Sequence, residues 1–135
     1  MLGDKVGELK GKVVNIRVLE PDAEGPSVEV TMQETGTLFG VDVQTVVTYV
    51  SRARPGGILT GQGNGVLFTP DGESLTWRGL GIGTPKGKGQ AASWRGGIVY
   101  HGSSRKLERL NKVSIVYEYE IDEAGNSHGK LTEWK

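Results

Sequence analysis

The stretch Gly61-Gln62-Gly63-Asn64-Gly65, followed by Gly79-Leu80-Gly81-Ile82-Gly83, decides the fold. Successive side chains of an extended strand point to opposite faces of a sheet, so each stretch leaves one face without side chains. Bare glycine backbone permits sharp bending, close approach of another segment, or space for a bound molecule. The pattern is typical of the wall of a small closed β-barrel.

Alternation of apolar and polar residues with a period of two recurs along the chain, whereas sustained helical periodicity does not. It predicts eight strands, which cover Glu8–Leu19, Val28–Glu34, Phe39–Tyr49, Ile58–Phe68, Glu73–Gly83, Ala91–His101, Val113–Ile121 and Ser127–Lys135. One helical turn is expected between residues 103 and 111, with Leu107 and Leu110 covering an end of the core. Since closure removes exposed sheet edges, we predict an all-β fold, a closed eight-stranded antiparallel β-barrel that forms a single domain over residues 1–135.

Composition narrows the class of protein. The 135 residues include 22 glycines and no cysteine, which excludes disulfides, thiolate metal sites and a cysteine nucleophile. The 16 basic and 16 acidic side chains balance, so nucleic acid and membrane surfaces are not expected partners. No apolar run approaches the ~18 residues of a membrane-spanning helix, and the first residues lack the apolar stretch of a signal peptide. We therefore expect a cytoplasmic protein.

Motifs for metal, nucleotide and serine-hydrolase chemistry are lacking. The two histidines, His101 and His128, have no second ligand at metal spacing. Gly87–Ala92 matches G-x-G-x-x-A but neither follows a parallel strand nor opens a helix, so it is interpreted as a loop. No nucleophile elbow or phosphate-binding loop occurs. We expect neither a metal nor a cofactor.

A short motif that occurs twice suggests how the fifth and sixth strands pair. Thr76-Trp77-Arg78-Gly79 recurs as Ser93-Trp94-Arg95-Gly96. A hairpin that closes near Lys86-Gly87 would place each tryptophan opposite the glycine of the other motif, Trp77 facing Gly96 and Trp94 facing Gly79. Each indole would then cover bare backbone, a known way of stabilising glycine in sheets.

Charge is uneven along the chain. The segment Arg78–Lys112 holds eight basic residues against one acid, a net charge of +7, so the rest of the chain carries −7. The predicted register also sets Arg78 opposite Arg95, and like charges opposed in a sheet are destabilising. The outward-facing Glu118 and Glu120, a bound anion or a partner chain could neutralise them. The segment could face complementary strands or subunits, or form a basic rim that favours an anionic ligand.

The barrel interior is the predicted binding site, because eight strands leave room for filling side chains or one small ligand. A tight turn at Asp71-Gly72 would align Val66 and Phe68 with the tryptophan face and bring Gln62 and Asn64 inward. Apolar pockets with a few polar groups are the usual form of small-molecule sites. The candidate ligand-binding residues are Tyr49, Gln62, Asn64, Trp77, Trp94, Tyr100, Tyr117 and Tyr119. Alternatively, the aromatic residues form ordinary core, and the two amides bond a bulged backbone.

Glu34 is the candidate catalytic residue. A carboxylate at the inner end of a strand can have a raised pKa and act as a general acid or base. The alternative is a solvent-exposed strand end beside Gly36.

The last third of the chain resembles a known group of barrels. The strings that carry the resemblance are Ser103–Asn111, Val116–Glu120, Gly125-Asn126 and Gly129–Lys135, together with the two Trp-Arg-Gly motifs. They are similar to uncharacterised bacterial members of the allene oxide cyclase-like barrel superfamily, over about residues 28–135. The resemblance implies an eight-stranded barrel, often trimeric, with an internal ligand cavity. Relatives include plant oxylipin cyclases and dirigent proteins, which orient a reactive substrate without metal or redox cofactors.

Three functions remain open at this point. The first is a barrel that binds a small hydrophobic molecule, which could be anionic and meet the basic rim. The second is a cofactor-free cyclase or isomerase with Glu34 as its acid or base. The third is a structural or assembly barrel that binds nothing inside. A homo-oligomer is expected, a trimer by the resemblance or else a dimer.

Overall fold

Each strand pairs with its neighbours in sequence, and the last strand pairs with the first. The computed structural model describes residues 1–135. Its strands are β1 (Leu2–Asp22), β2 (Gly25–Leu38), β3 (Val41–Arg54), β4 (Ile58–Phe68), β5 (Ser74–Pro85), β6 (Ala92–Gly102), β7 (Ser114–Ile121) and β8 (Asn126–Trp134). All pairings are antiparallel, and the β8–β1 pairing closes the barrel. The predicted eight-stranded antiparallel barrel is therefore confirmed. The structure contains no helix long and apolar enough to cross a membrane.

Strand boundaries follow the sequence prediction closely, apart from the first three strands. β4 has the predicted bounds, whereas β1 is several residues longer at both ends. β2 continues past Glu34 to Leu38, and Phe39 and Gly40 then form a two-residue turn. Both turn residues have positive φ, 48° and 76°, as a tight hairpin that follows the strand twist requires. Phe39 was predicted to open the third strand and instead lies in this turn.

One end of the barrel is filled by aliphatic side chains and covered by a 3₁₀ helix (Glu108–Lys112). Leu107 and Leu110 are fully buried there, as predicted. Arg109 Nε donates to Oε1 of Glu133 at 3.0 Å, and Glu133 is buried on β8. This ion pair ties the 3₁₀ helix to β8 at that end of the barrel.

The pairing of β5 with β6 differs from the predicted register by four residues. Trp77 lies opposite Tyr100, and Trp94 lies opposite Gly83. The connection is longer than expected, with the Lys86 N–H bonded to the Ala91 carbonyl at 2.9 Å. Because the error is an even number of residues, both tryptophans still point into the barrel.

The predicted opposition of Arg78 and Arg95 is wrong for the same reason. Arg78 lies opposite Val99, whereas Arg95 lies opposite Ile82 on one side and Glu118 on the other. Arg95 forms ion pairs with Glu118 at 3.5 Å and with Glu120 at 2.9 Å. The acids that we expected to neutralise the arginines therefore do bind Arg95, and no like-charge conflict exists.

β4 is the strand whose predicted faces are inverted. Gln62 and Asn64 are exposed on the outer surface, and Val66 and Phe68 share their face. The connection to β5 comprises residues 69–73, so Phe68 pairs with Ser74 and the turn centres on Asp71 rather than between Asp71 and Gly72. A shift of one residue moves a whole strand to the opposite face. The prediction that Gln62 and Asn64 point into the cavity is therefore wrong.

The inward face of β4 is its bare glycine face, and indole rings occupy the space above it. Trp77 lies opposite Gly65, where an added Cβ would overlap its indole ring. Trp94 occupies the corresponding space at Gly61 and Gly83. The tryptophans thus cover glycine backbone as predicted, although the glycines are different ones.

We predict that Gly65→Ala lowers the free energy of unfolding by about 1–3 kcal/mol, because the new methyl group overpacks against Trp77. Gly97→Ala is the matched control, since an added Cβ there has only the Ile115 carbonyl nearby, at 3.6 Å. The control should be neutral or slightly stabilising, because alanine loses less backbone entropy on folding than glycine. Urea unfolding measures both variants. Equal stabilities of the two variants would contradict this account of the wall.

Candidate functional site

The aromatic part of the barrel interior contains a small, partly open cavity of about 60 Å³. Its wall combines aromatic rings, a few aliphatic side chains and glycine backbone, including Tyr49, Gly61, Gly63, Trp77, Gly79, Trp94, Tyr117 and Tyr119. An apolar cavity that takes up benzene measures ~150 Å³. Side chains therefore fill most of the interior and leave a space for only a few atoms.

The Glu34 carboxyl is part of this wall. β2 directs it inward between Gly11 of β1 and Thr45 of β3, and the residue is only 3% exposed. Thr45 Oγ1 and Tyr119 Oη each donate to Oε1 at 3.1 Å, and Ser127 Oγ donates to Oε2 at 3.3 Å. The alternative that Glu34 is a solvent-exposed strand end is therefore wrong.

Burial raises the pKa of Glu34 above its usual 4.5, and the three hydroxyl donors only partly offset this. Burial likewise raises the pKa of Tyr117 to about 12 and the pKa of Tyr119 well above 10. The phenols consequently remain neutral donors near neutral pH. Burial raises the proton affinity of Glu34, and the three donors hold its carboxyl group in place.

Two buried polar atoms have no hydrogen-bond partner, and both belong to the cavity wall. They are the Tyr49 hydroxyl and the Trp94 indole N–H. The two rings meet edge to face with centroids 5.5 Å apart. More than about 90% of buried backbone N–H and C=O groups, and most buried polar side-chain atoms, have a partner. An indole N–H can only donate, so the Trp94 N–H lacks a hydrogen bond until an acceptor atom reaches it.

The other candidate residues lie in different surroundings. Tyr100 is buried opposite Trp77 but is not part of the cavity wall. The Tyr117 hydroxyl donates to the Leu80 carbonyl at 3.2 Å. Five of the eight ligand-binding candidates thus line the cavity with their rings: Tyr49, Trp77, Trp94, Tyr117 and Tyr119. Gln62 also contributes to the wall, although it is exposed on the outer surface.

Sequence reasoning missed the side chains that hold Glu34. Thr45 lies within the predicted third strand, and Ser127 opens the predicted last strand, but neither was recognised as a site residue. A hydroxyl at an inward position was the available signal.

Half of the eight basic residues of the segment Arg78–Lys112 are paired with acids within the chain. Arg95, Lys106, Arg109 and Lys112 each form an ion pair with an acid of the same chain. None of the residues that line the cavity is an arginine or lysine. No group of three or more acidic or histidine side chains is arranged to hold a metal ion.

Comparison with known proteins identifies the fold alone. No protein-family model and no curated protein matches the chain. A protein of unknown function from Clostridium acetobutylicum ATCC 824 has a similar solved structure, with a TM-score of 0.82, 14% sequence identity and 98% coverage of both chains. A conserved protein of unknown function from Rhodopseudomonas palustris has a TM-score of 0.79 at 12% identity and covers 98% of this chain and 97% of its own.

The raised pKa of Glu34 predicts a pH-dependent stability difference between the wild type and Glu34→Gln. The folded state holds the Glu34 proton to higher pH than the unfolded state, so the wild type loses stability as pH rises from about 4.5 to the raised pKa. Glutamine carries no such charge, so Glu34→Gln should gain relative stability over that window.

Urea unfolding at a series of pH values measures this difference. Glu118→Gln, which changes an exposed glutamate, is the control and should show a much smaller change over the same window. A difference between the wild type and Glu34→Gln that is constant with pH would exclude the raised pKa.

Proposed function

We propose that the barrel binds a small, uncharged, largely apolar molecule that carries a hydrogen-bond acceptor. The observation that carries this proposal is the pair of unpartnered donors, Tyr49 and Trp94, on the wall of one apolar cavity. A ligand acceptor placed there would satisfy groups whose burial without a partner costs about 1–3 kcal/mol each. The resemblance of the sequence to barrels with an internal ligand cavity agrees with this function.

The charge of the cavity wall favours a neutral ligand over the anionic one considered from the sequence. The wall contains no cationic side chain, and its one acidic group, Glu34, would repel an anion when ionised. The size of the cavity favours a molecule of few heavy atoms. A larger ligand would fit only if aromatic side chains of the wall changed their rotamers.

Matched pairs of ketone and alkene probes test this proposal, from acetone and isobutene up to cyclohexanone and methylenecyclohexane. Each pair has nearly the same shape, but only the ketone has an acceptor. We expect a ketone to shift the Trp94 indole N–H signal in proton–nitrogen NMR spectra in a saturable way, and to bind more tightly than its alkene. The signal of Trp134, whose side chain is exposed on β8, is an internal reference.

The variant Trp94→Phe keeps an aromatic ring and removes the donor. Because Tyr49 keeps the second donor, Trp94→Phe should weaken the preference for the ketone, and the double variant Tyr49→Phe/Trp94→Phe should abolish it while leaving weak binding of the alkene; the Trp77 indole signal, from the same wall, reports binding in both variants. If no probe gives saturable shifts, or if the preference survives in the double variant, the proposal fails. Complete absence of binding would favour a structural barrel.

A second candidate function is cofactor-free isomerisation, because Glu34 lies on the same cavity wall as the two donors. A carbonyl group held by Tyr49 and Trp94 would have its oxygen stabilised as negative charge develops there. The Glu34 carboxylate would take a proton from the carbon next to the carbonyl; the electrons of that C–H bond would form a carbon–carbon double bond, and the π electrons of the carbonyl would move to the oxygen. In a ketone with a second carbon–carbon double bond beside that carbon, return of the proton to the far carbon of this bond restores the carbonyl and gives the conjugated isomer, so no oxidant or cofactor is needed.

Exchange of hydrogen for deuterium next to the carbonyl tests this second function. In D₂O, the wild-type protein should accelerate deuterium incorporation into a ketone that binds, and Glu34→Gln should lose at least about tenfold of that rate, given the 10²–10⁴-fold contribution of a general base. Trp134→Phe, which changes a tryptophan remote from the cavity, is the control. Binding without accelerated exchange would leave a binding protein and exclude the isomerase.

A further inference from the structure

Glu34 is a buried acid whose surroundings contain no positively charged side chain. Its three side-chain partners are the hydroxyl groups of Thr45, Tyr119 and Ser127, and the cavity wall contains no lysine, arginine or histidine. Hydrogen bonds donated to a carboxylate favour its charged form, but buried charges in proteins are normally also paired. When Glu34 is ionised, it therefore has hydrogen-bond donors but no counter-ion within the chain.

Two aromatic rings of the cavity wall lie flat on glycine backbone. Three adjacent atoms of the six-membered ring of Trp94 are each 2.9 Å from the position that a Cβ atom would occupy at Gly83, so this position lies over the centre of the ring. Tyr119 covers Gly129 in the same manner, again with three adjacent ring atoms. The opposite faces of both rings are therefore directed away from the strands, towards the barrel interior.

Neighbouring rings of the wall also stand at steep angles to one another. Tyr49 and Trp94 meet at 67°, and Tyr117 and Tyr119 meet at 70° with centroids 5.6 Å apart. All four rings line the cavity, so each pair forms a corner of an aromatic box. The face of an aromatic ring carries a partial negative charge. A cation over such faces is attracted to them, and aromatic cages recognise quaternary ammonium groups in this way.

We propose that this cavity binds a small methylated ammonium cation, with Glu34 as its counter-ion and the aromatic rings around its methyl groups. Methyl groups match the apolar wall and weaken the hydration of the ammonium group, so less free energy is lost when the cation leaves water. The cavity volume of about 60 Å³ limits the cation to a few heavy atoms. This cation is a second class of ligand beside the neutral acceptor proposed above, and the two compete for the same space.

Three probes of equal size separate charge from shape. Trimethylammonium, acetone and isobutene have the same number of heavy atoms, but only the first is a cation. Burial raises the pKa of Glu34, so the titration is made at mildly alkaline pH, where Glu34 ionises more readily and the probe keeps its charge. We expect trimethylammonium to shift the indole N–H signals of Trp77 and Trp94 in a saturable way. Its methyl proton signals should move upfield, because the methyl groups lie over ring faces. Ammonium chloride at equal concentration controls for ionic strength and should leave the indole signals unchanged.

Glu34→Gln removes the charge and keeps the shape of the side chain. It should weaken trimethylammonium binding by at least about tenfold, because loss of one partner from a buried charge pair is strongly unfavourable. Binding of isobutene should stay nearly unchanged. Glu118→Gln, which changes an exposed glutamate, is the matched control and should bind the cation as the wild type does.

The outcomes separate this inference from the neutral-ligand function. Absence of saturable shifts with trimethylammonium, or equal affinity in the wild type and Glu34→Gln, would overturn the cation site. Acetone binding without trimethylammonium binding would also overturn it and would leave the neutral-ligand function intact. Trimethylammonium binding without acetone binding would support the cation site and overturn the neutral ligand.

Discussion

Aromatic rings packed on bare backbone set the dimensions of the barrel interior. Trp77 and Trp94 fill the space above the glycines of β4, Tyr117 covers Gly81 and Gly96, and Tyr119 covers Gly129. A methyl group at almost any of these glycines would meet a ring, so the rings and the glycines constrain one another. Because rigid rings do not pack completely against a curved wall, a small cavity remains between them.

The interior is divided between two kinds of packing. Leucine and isoleucine side chains fill the end under the 3₁₀ helix, where nearly every apolar group is fully buried. The other part holds the aromatic rings, the Glu34 carboxyl and its three hydroxyl donors. Burying a carboxyl group opposes folding even with good hydrogen bonds. An apolar side chain at position 34 would oppose folding less, so Glu34 is a costly residue in this part of the core.

The sequence predicts the strands and most inward faces because period-two alternation reports burial directly. The length of a turn is harder to infer from the sequence, and the effect of an error depends on whether the register shifts by an odd or an even number of residues. The error between β5 and β6 was even and left Trp77 and Trp94 inside, whereas the error of one residue before β5 turned Gln62 and Asn64 outward.

Glu34 could be found from its inward position. The unpartnered Trp94 indole could not, because it depends on how neighbouring rings are oriented. The end of β1 that pairs only with β2, from Val14 to Asp22, follows from unequal strand lengths, 21 residues in β1 against nine in β8.

The pairing that closes the barrel has a kinetic consequence. Seven of the eight pairings join strands adjacent in sequence, but the seam between β1 and β8 joins residues such as Lys10 and His128, which are 118 positions apart. Entropy of loop closure makes this seam the most costly pairing to nucleate. We therefore expect folding to proceed through an open, curled sheet whose two edge strands, β1 and β8, pair last. Pulsed hydrogen exchange would detect that order, since amide protons of the seam would gain protection after those of the hairpins.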